Sequence, residues 1–232
     1  MGVGRLTTTT SGVRTGWFVL AGLLAAVAYA STLFSSSVSD EEKRQLLYKW
    51  SSAIGGGVQY LVIAVVVLVL VRRLEPAVLG LEAPRSWRRA SAYTAAALVV
   101  VFVVGAVLNV FLKAGEEQGL VPERWEPEHA APFVANFVVV ALVAPFVEEL
   151  TYRGLGFAVL DDMFGRSVAI VGCGLAFGLA HGLFVALPML TFFGIVLAVL
   201  RDRSGSIYPA MILHMLFNGI ALVAAVTHGS TV

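Results

Sequence analysis

Six polar residues stand out in the apolar second half of the chain: Glu148, Glu149, Arg153, His181, His214 and Asn218. They fall into three short segments. Pro145–Arg153 reads Pro-Phe-Val-Glu-Glu-Leu-Thr-Tyr-Arg, Phe177–His181 reads Phe-Gly-Leu-Ala-His, and His214–Asn218 reads His-Met-Leu-Phe-Asn. A carboxylate with two imidazoles and an amide donor can hydrolyse an acyl bond. Glu148 would take a proton from water, helped by His181, while His214 and Asn218 donate hydrogen bonds to the oxyanion. A second version places a zinc ion between Glu148, His181 and His214, with an open position for water. The His-Glu-x-x-His helix of common metalloproteases and the Gly-x-Ser-x-Gly elbow are both absent from the sequence. Cys173, two turns before His181, reads as a packing residue.

Spacing assigns faces. Glu149 and Arg153 are i and i+4 and can pair within one helix. Glu148 lies about 100° around from Glu149 and cannot face Arg153 as well. It is expected to be the unpaired carboxylate, facing a cavity alongside Tyr152. His214 and Asn218 are also i and i+4 and can enter one pocket. Gly174, Gly178 and Gly182 form a small-residue ladder that admits a close neighbouring helix, and Phe177 sits one turn from the His181 ring. The bland alternative is that the charged triplet glues helices together and each histidine merely packs.

The elements that carry these residues must be membrane helices. Of 232 residues, 58% are hydrophobic and 13% charged, against roughly 45–50% and about 25% in a soluble domain. A spanning helix needs about 20 apolar residues. Runs of this kind are 16–34, 54–71, 90–112, 131–160, 167–184, 187–200 and 207–226. The expected fold is all-α, a polytopic integral membrane protein with about seven transmembrane helices in one bundle. A charged group inside a span costs roughly 2.5–3.5 kcal/mol on insertion scales, so each one needs a reason. At 1.5 Å per residue, Glu148, His181 and Asn218 lie ~18, ~22 and ~20 Å from the inner ends of their helices, so they can share a depth.

Positive charge sets the orientation. With seven spans and an inner N-terminus, ten loop Lys and Arg fall inside, including Arg5, Arg14, Arg72, Arg73, Arg85, Arg88 and Arg89; five fall outside, among them Lys113 and Arg124. The loop from Lys113 to His129 also carries Glu116, Glu117 and Glu123. The expected location is a cell membrane with a cytoplasmic N-terminus. Ala28-Tyr29-Ala30 resembles a signal-peptidase site, but the apolar run is long for a signal peptide, so an uncleaved first helix is expected. Arg outnumbers Lys 13 to 3, a bias typical of GC-rich prokaryotes. The net charge of +1 excludes a nucleic-acid partner, and the single cysteine excludes an internal disulfide.

Glu148-Glu149-x-x-x-Arg153, Phe177-x-x-x-His181 and His214-x-x-x-Asn218, in this order on separate helices, resemble the three motifs of the CPBP family, the type II CAAX prenyl proteases and bacteriocin-processing enzymes also called ABI. The resemblance covers about residues 131–222, with three additional helices before it. It implies an intramembrane endopeptidase acting on a membrane-associated peptide or protein, lipidated in the CAAX case. It further implies that Glu148 and His181 activate water, His214 and Asn218 stabilise the oxyanion, and Glu149 and Arg153 matter to the site. Family members are described both as metalloproteases and as metal-free glutamate enzymes. A non-catalytic binding or immunity protein using the same pocket is the competing class, and a transporter would need repeats that are not evident.

Overall fold

The computed structural model describes residues 9–34, 40–112 and 125–228. Arg5, Lys113, Glu116, Glu117, Glu123 and Arg124 lie outside these residues. Seven long helices form the architecture: α1 Ser11–Phe34, α2 Trp50–Val71, α3 Trp87–Leu112, α4 Pro127–Phe164, α5 Arg166–Leu179, α6 Leu187–Ser204 and α7 Tyr208–His228. They match the seven apolar runs of the sequence. Among the described residues five helices, α1, α2, α3, α4 and α7, are long and apolar enough to cross a membrane, against the seven or so expected; α5 is a shorter apolar helix of 14 residues and α6 does not reach that measure. On α2 the residues Val58, Leu61, Val62, Val65, Leu68 and Val69 are exposed while Ala53, Val67 and Val71 are buried. A helix that shows valine and leucine outward has lipid as its solvent.

Helix α4 is one rod with two widened turns, π-helical at Val139–Val143 and Leu150–Gly156. In the first, Ala144 N–H donates to Val139 O, one residue beyond α-helical reach. Pro145 follows directly; in a regular helix its ring would strike the carbonyl of Ala141. Widened turns of this kind are frequent at functional sites because they re-aim side chains and free carbonyls.

Two departures from the expected spans matter for the site. Helix α5 ends at Leu179 instead of reaching Phe184, so His181 stands in a turn and not on the helix. Gly182 explains this: its φ is +66°, and a Cβ there would come within 2.5 Å of the Ala28 backbone on α1. Glycine tolerates both constraints. The glycine ladder is therefore split. Gly174 and Gly178 serve the α5–α6 contact, where an added Cβ would meet Ile195 and Thr191 at 2.5–2.6 Å, and Gly182 serves α1.

The core forms where α4 crosses its neighbours. One cluster joins Trp17 of α1, Val67 and Val71 of α2, Leu155 and Val159 of α4, Cys173 of α5 and Ala198 of α6. A second joins Val101 of α3 to Tyr152, Phe177, Phe193, Leu197 and Leu213. At one end of the bundle Arg14 pairs with Asp162 and Arg166 with Asp202, and two recesses of about 480 and 660 Å³ hold Arg72, Arg73, Arg85 and Arg201. A reporter fused after Arg85 is expected to behave as cytoplasmic, because positive loop charge is retained inside. Labelling of that position by an impermeant outer-surface reagent would reverse the orientation.

Candidate active site

The site is built on α4, with Glu148 and Glu149 at the end of the regular turns and Arg153 within the second widened segment. Glu149 and Arg153 are fully buried, and Arg153 Nη1 donates to Glu149 Oε1 at 2.9 Å. The i, i+4 pairing expected from spacing is present. Arg153 Nη2 donates to Gly194 O of α6 at 2.9 Å. Its guanidinium carbon lies 4.6 Å from the centre of the Phe177 ring. Each buried charge thus meets an opposite charge or dipoles, which is what keeps such a pair tolerable.

His214 enters from α7. Its Nδ1 lies 2.9 Å from Glu149 Oε1, the oxygen already taken by Arg153. A carboxylate oxygen accepts, so Nδ1 carries hydrogen and donates. The other nitrogen, Nε2, lies 3.5 Å from Glu148 Oε2. Two carboxylates therefore flank one imidazole.

Glu148 is not the unpaired carboxylate expected from the sequence. Tyr60 of α2 donates to Glu148 Oε1 at 2.6 Å. Tyr152, expected beside Glu148 in a cavity, is 2% exposed and packs edge-on against Phe177 at 5.7 Å. The error has a physical cause: faces within one helix follow from spacing, whereas partners on another helix depend on packing. Glu148 keeps 14% side-chain exposure, against 0% for Glu149. It is the accessible acidic end of the chain.

His181 caps the end of α5. Its Nδ1 donates to the carbonyl of Phe177 at 2.8 Å, satisfying a helix-end acceptor. With Nδ1 donating, the lone pair of a neutral ring lies on Nε2. The Phe177 ring lies 4.6 Å from the His181 ring and 5.5 Å from His214. His181 thus joins the site through that ring and not through a hydrogen bond to the carboxylates. Asn218 Nδ2 donates to Val140 O, in the first widened turn, at 3.0 Å. One amide hydrogen is so used and one remains.

The zinc version fits poorly. Among the described residues no three His, Cys, Asp or Glu side chains gather closely enough to hold a metal ion. Cys173 is fully buried, with its sulfur 3.2 Å from Tyr152 O, in keeping with a packing role.

The residue that sequence reasoning missed is Tyr60. A signal was present: Gly56, Tyr60, Ile63, Val67 and Val71 line one face of α2, and Ile63, Val67 and Val71 belong to the core. Gly56 lets Val139 of α4 approach, since a Cβ there would lie 3.2 Å away.

Removing one partner of a buried ion pair strands the other charge, at a cost of about 3–5 kcal/mol. Arg153→Met is therefore expected to lower the thermal unfolding temperature in detergent sharply. Adding Glu149→Leu should recover much of the loss; additive losses in the double variant would show that the two residues are not coupled.

Residues 130–220 match the family described as Type II CAAX prenyl endopeptidase Rce1-like. No curated protein and no solved structure matches the chain. The match spans α4 to most of α7 and contains all six candidate residues, while α1, α2 and α3 lie before it.

Proposed function

We propose, with an Rce1-like domain over residues 130–220 as the premise, that the protein is an intramembrane endopeptidase whose working carboxylate is Glu148. One observation carries this reading. Glu148 is the partly exposed end of a buried chain, Arg153–Glu149–His214, in which the inner residues are held by ion pairing and hydrogen bonds. A relay that ends on an accessible carboxylate suits proton transfer to and from a bound water.

In this reading water binds between Glu148 and the free Nε2 of His181. Glu148 takes a proton as the water oxygen attacks the scissile carbonyl carbon. The carbonyl oxygen becomes the oxyanion and accepts from the remaining amide hydrogen of Asn218 and from His214. Collapse of the intermediate breaks the C–N bond, and the proton on Glu148 passes to the leaving amine. Glu149 and Arg153 touch no substrate; they hold the His214 ring and its tautomer. The family description suggests a prenylated protein carboxy-terminus, Cys-aliphatic-aliphatic-X, as the first substrate class to test, in a cell membrane with the N-terminus inside. No step needs a metal ion.

General acid–base groups contribute about 10²–10⁴-fold. Glu148→Gln in liposomes should reduce cleavage of a farnesylated, fluorophore-quencher CAAX peptide by at least that factor. The unfolding temperature should change little. Retained cleavage would end the role assigned to Glu148. If the wild-type chain binds but never cleaves prenylated or unprenylated membrane peptides, the non-catalytic binding reading takes over.

Metal content offers a separate check. Purified protein stripped with chelator is expected to hold well under one equivalent of zinc and to keep its turnover. Loss of turnover that zinc alone restores would reinstate the metal version.

A further inference from the structure

Tyr60 lies on α2, outside the Rce1-like match, yet it makes the shortest contact to the candidate catalytic carboxylate, 2.6 Å from its hydroxyl oxygen to Glu148 Oε1. At that distance an O–H donor to a carboxylate is charge-assisted, about twice as strong as a neutral bond. The opposite oxygen, Oε2, faces His214 Nε2 at 3.5 Å. The two contacts come from different helices, α2 and α7, and approach different oxygens. The Tyr60 bond is the directional one and sets the rotation of the carboxylate plane, while His214 stands at ion-pair distance. A carboxylate offers about four lone-pair sites, so this bond still leaves acceptor capacity for a water proton.

The local structure is arranged for this reach. Gly56 brings α2 against Val139, in the first widened turn of α4. Tyr60 stands one turn further along the same face, and Val67 and Val71 continue it into the core. The phenol is half-buried and aimed along α4 toward Glu148. A tyrosine that only filled space would not need its hydroxyl on this oxygen.

We infer that Tyr60 is a positioning residue for Glu148: its phenol pins one carboxylate oxygen so that the carboxylate is held in the orientation needed to take a proton from water. The inference rests on the proposed role of Glu148. It also means that the amino-terminal helices complete a site that the matched domain does not complete alone.

The experiment is infrared difference spectroscopy on the full chain in lipid, joined to kinetics with the farnesylated CAAX peptide. Tyr60→Phe minus wild type should shift a carboxylate band, and the shift should vanish when both proteins carry Glu148→Gln. The reciprocal measurement leaves Tyr60 intact. The phenol band of ring-labelled tyrosine should move in Glu148→Gln, so a poorly folding Tyr60→Phe would not stop the test. Cleavage by Tyr60→Phe should lose about tenfold or more in kcat, with KM within about twofold, because a bond to an ionised group is at stake. A missing Glu148-dependent band shift overturns the inference, whatever the activity. A band shift with unchanged kcat, or a loss confined to KM, overturns the positioning role. Full cleavage by Glu148→Gln would instead sink the functional reading and leave the spectroscopic contact standing, so the two failures are distinguishable.

Discussion

The buried pair of Arg153 and Glu149 is the constraint on which the rest of the site depends. Both side chains are inaccessible in a bundle whose outer faces are apolar, so neither charge has water to fall back on. Such a pair depends on the further partners its polar atoms find; Glu149 Oε2 and Arg153 Nε are buried without a hydrogen-bond partner, so the bonds that are made carry the pair. Arg153 takes Gly194 O, and Glu149 takes His214 Nδ1. The first partner exists because α5 and α6 press together. A Cβ on Gly194 would lie 2.8 Å from the Gly174 backbone, so glycines at both positions let the two helices approach. The second partner holds the ring of His214 and leaves its other nitrogen facing Glu148. One ion pair thus draws α4, α6 and α7 into a fixed arrangement, and the exposed carboxylate inherits that order.

The two widened turns of α4 do complementary work. A π-helical turn leaves carbonyls without their usual partner, which is costly in an apolar interior. Three carbonyls in these turns meet a donor from another helix: Asn218 on Val140 O, the Trp17 indole on Thr151 O, and the Cys173 thiol close to Tyr152 O. The irregularity therefore acts as a set of sockets. Regular helices would pack by side chains alone; α4 also binds α1, α5 and α7 through its backbone.

What could be read from the sequence divides along the same line. The apolar runs predicted the seven long helices, and the i, i+4 spacing predicted the Glu149–Arg153 pair, because both are properties of one helix. Three features were hidden. The end of α5 at Leu179 is set by Gly182 packing on α1, a contact between distant segments. The partner of Glu148 sits 88 positions away on α2. The widened turns have the same composition as any apolar span, with Pro145 as a lone hint. Each of these is decided by which helix neighbours which, and hydropathy carries no such information. The three polar motifs were legible because ionisable groups in a span are costly and so carry a reason.

The contacts made by α1 and α2 bear on how far the matched domain is self-sufficient. Trp17 packs its indole against Gly156, where a Cβ would come within 2.7 Å, and donates to Thr151 O in the second widened turn. The far end of α1 meets the turn that carries His181: Ala28 lies on Gly182, Tyr29 Oη donates to Leu183 O at 3.4 Å, and the Tyr29 ring packs at a tilt against Phe184, 4.8 Å between centres. Two of those contacts require glycine at a close approach, so they are specific to this pairing of elements. The buried ion pair is made wholly within residues 130–220. The contacts under His181, the indole on α4 and the phenol on Glu148 come from helices before that range. The buried ion pair belongs to the matched residues, while part of the support for Glu148 and His181 comes from helices that precede them.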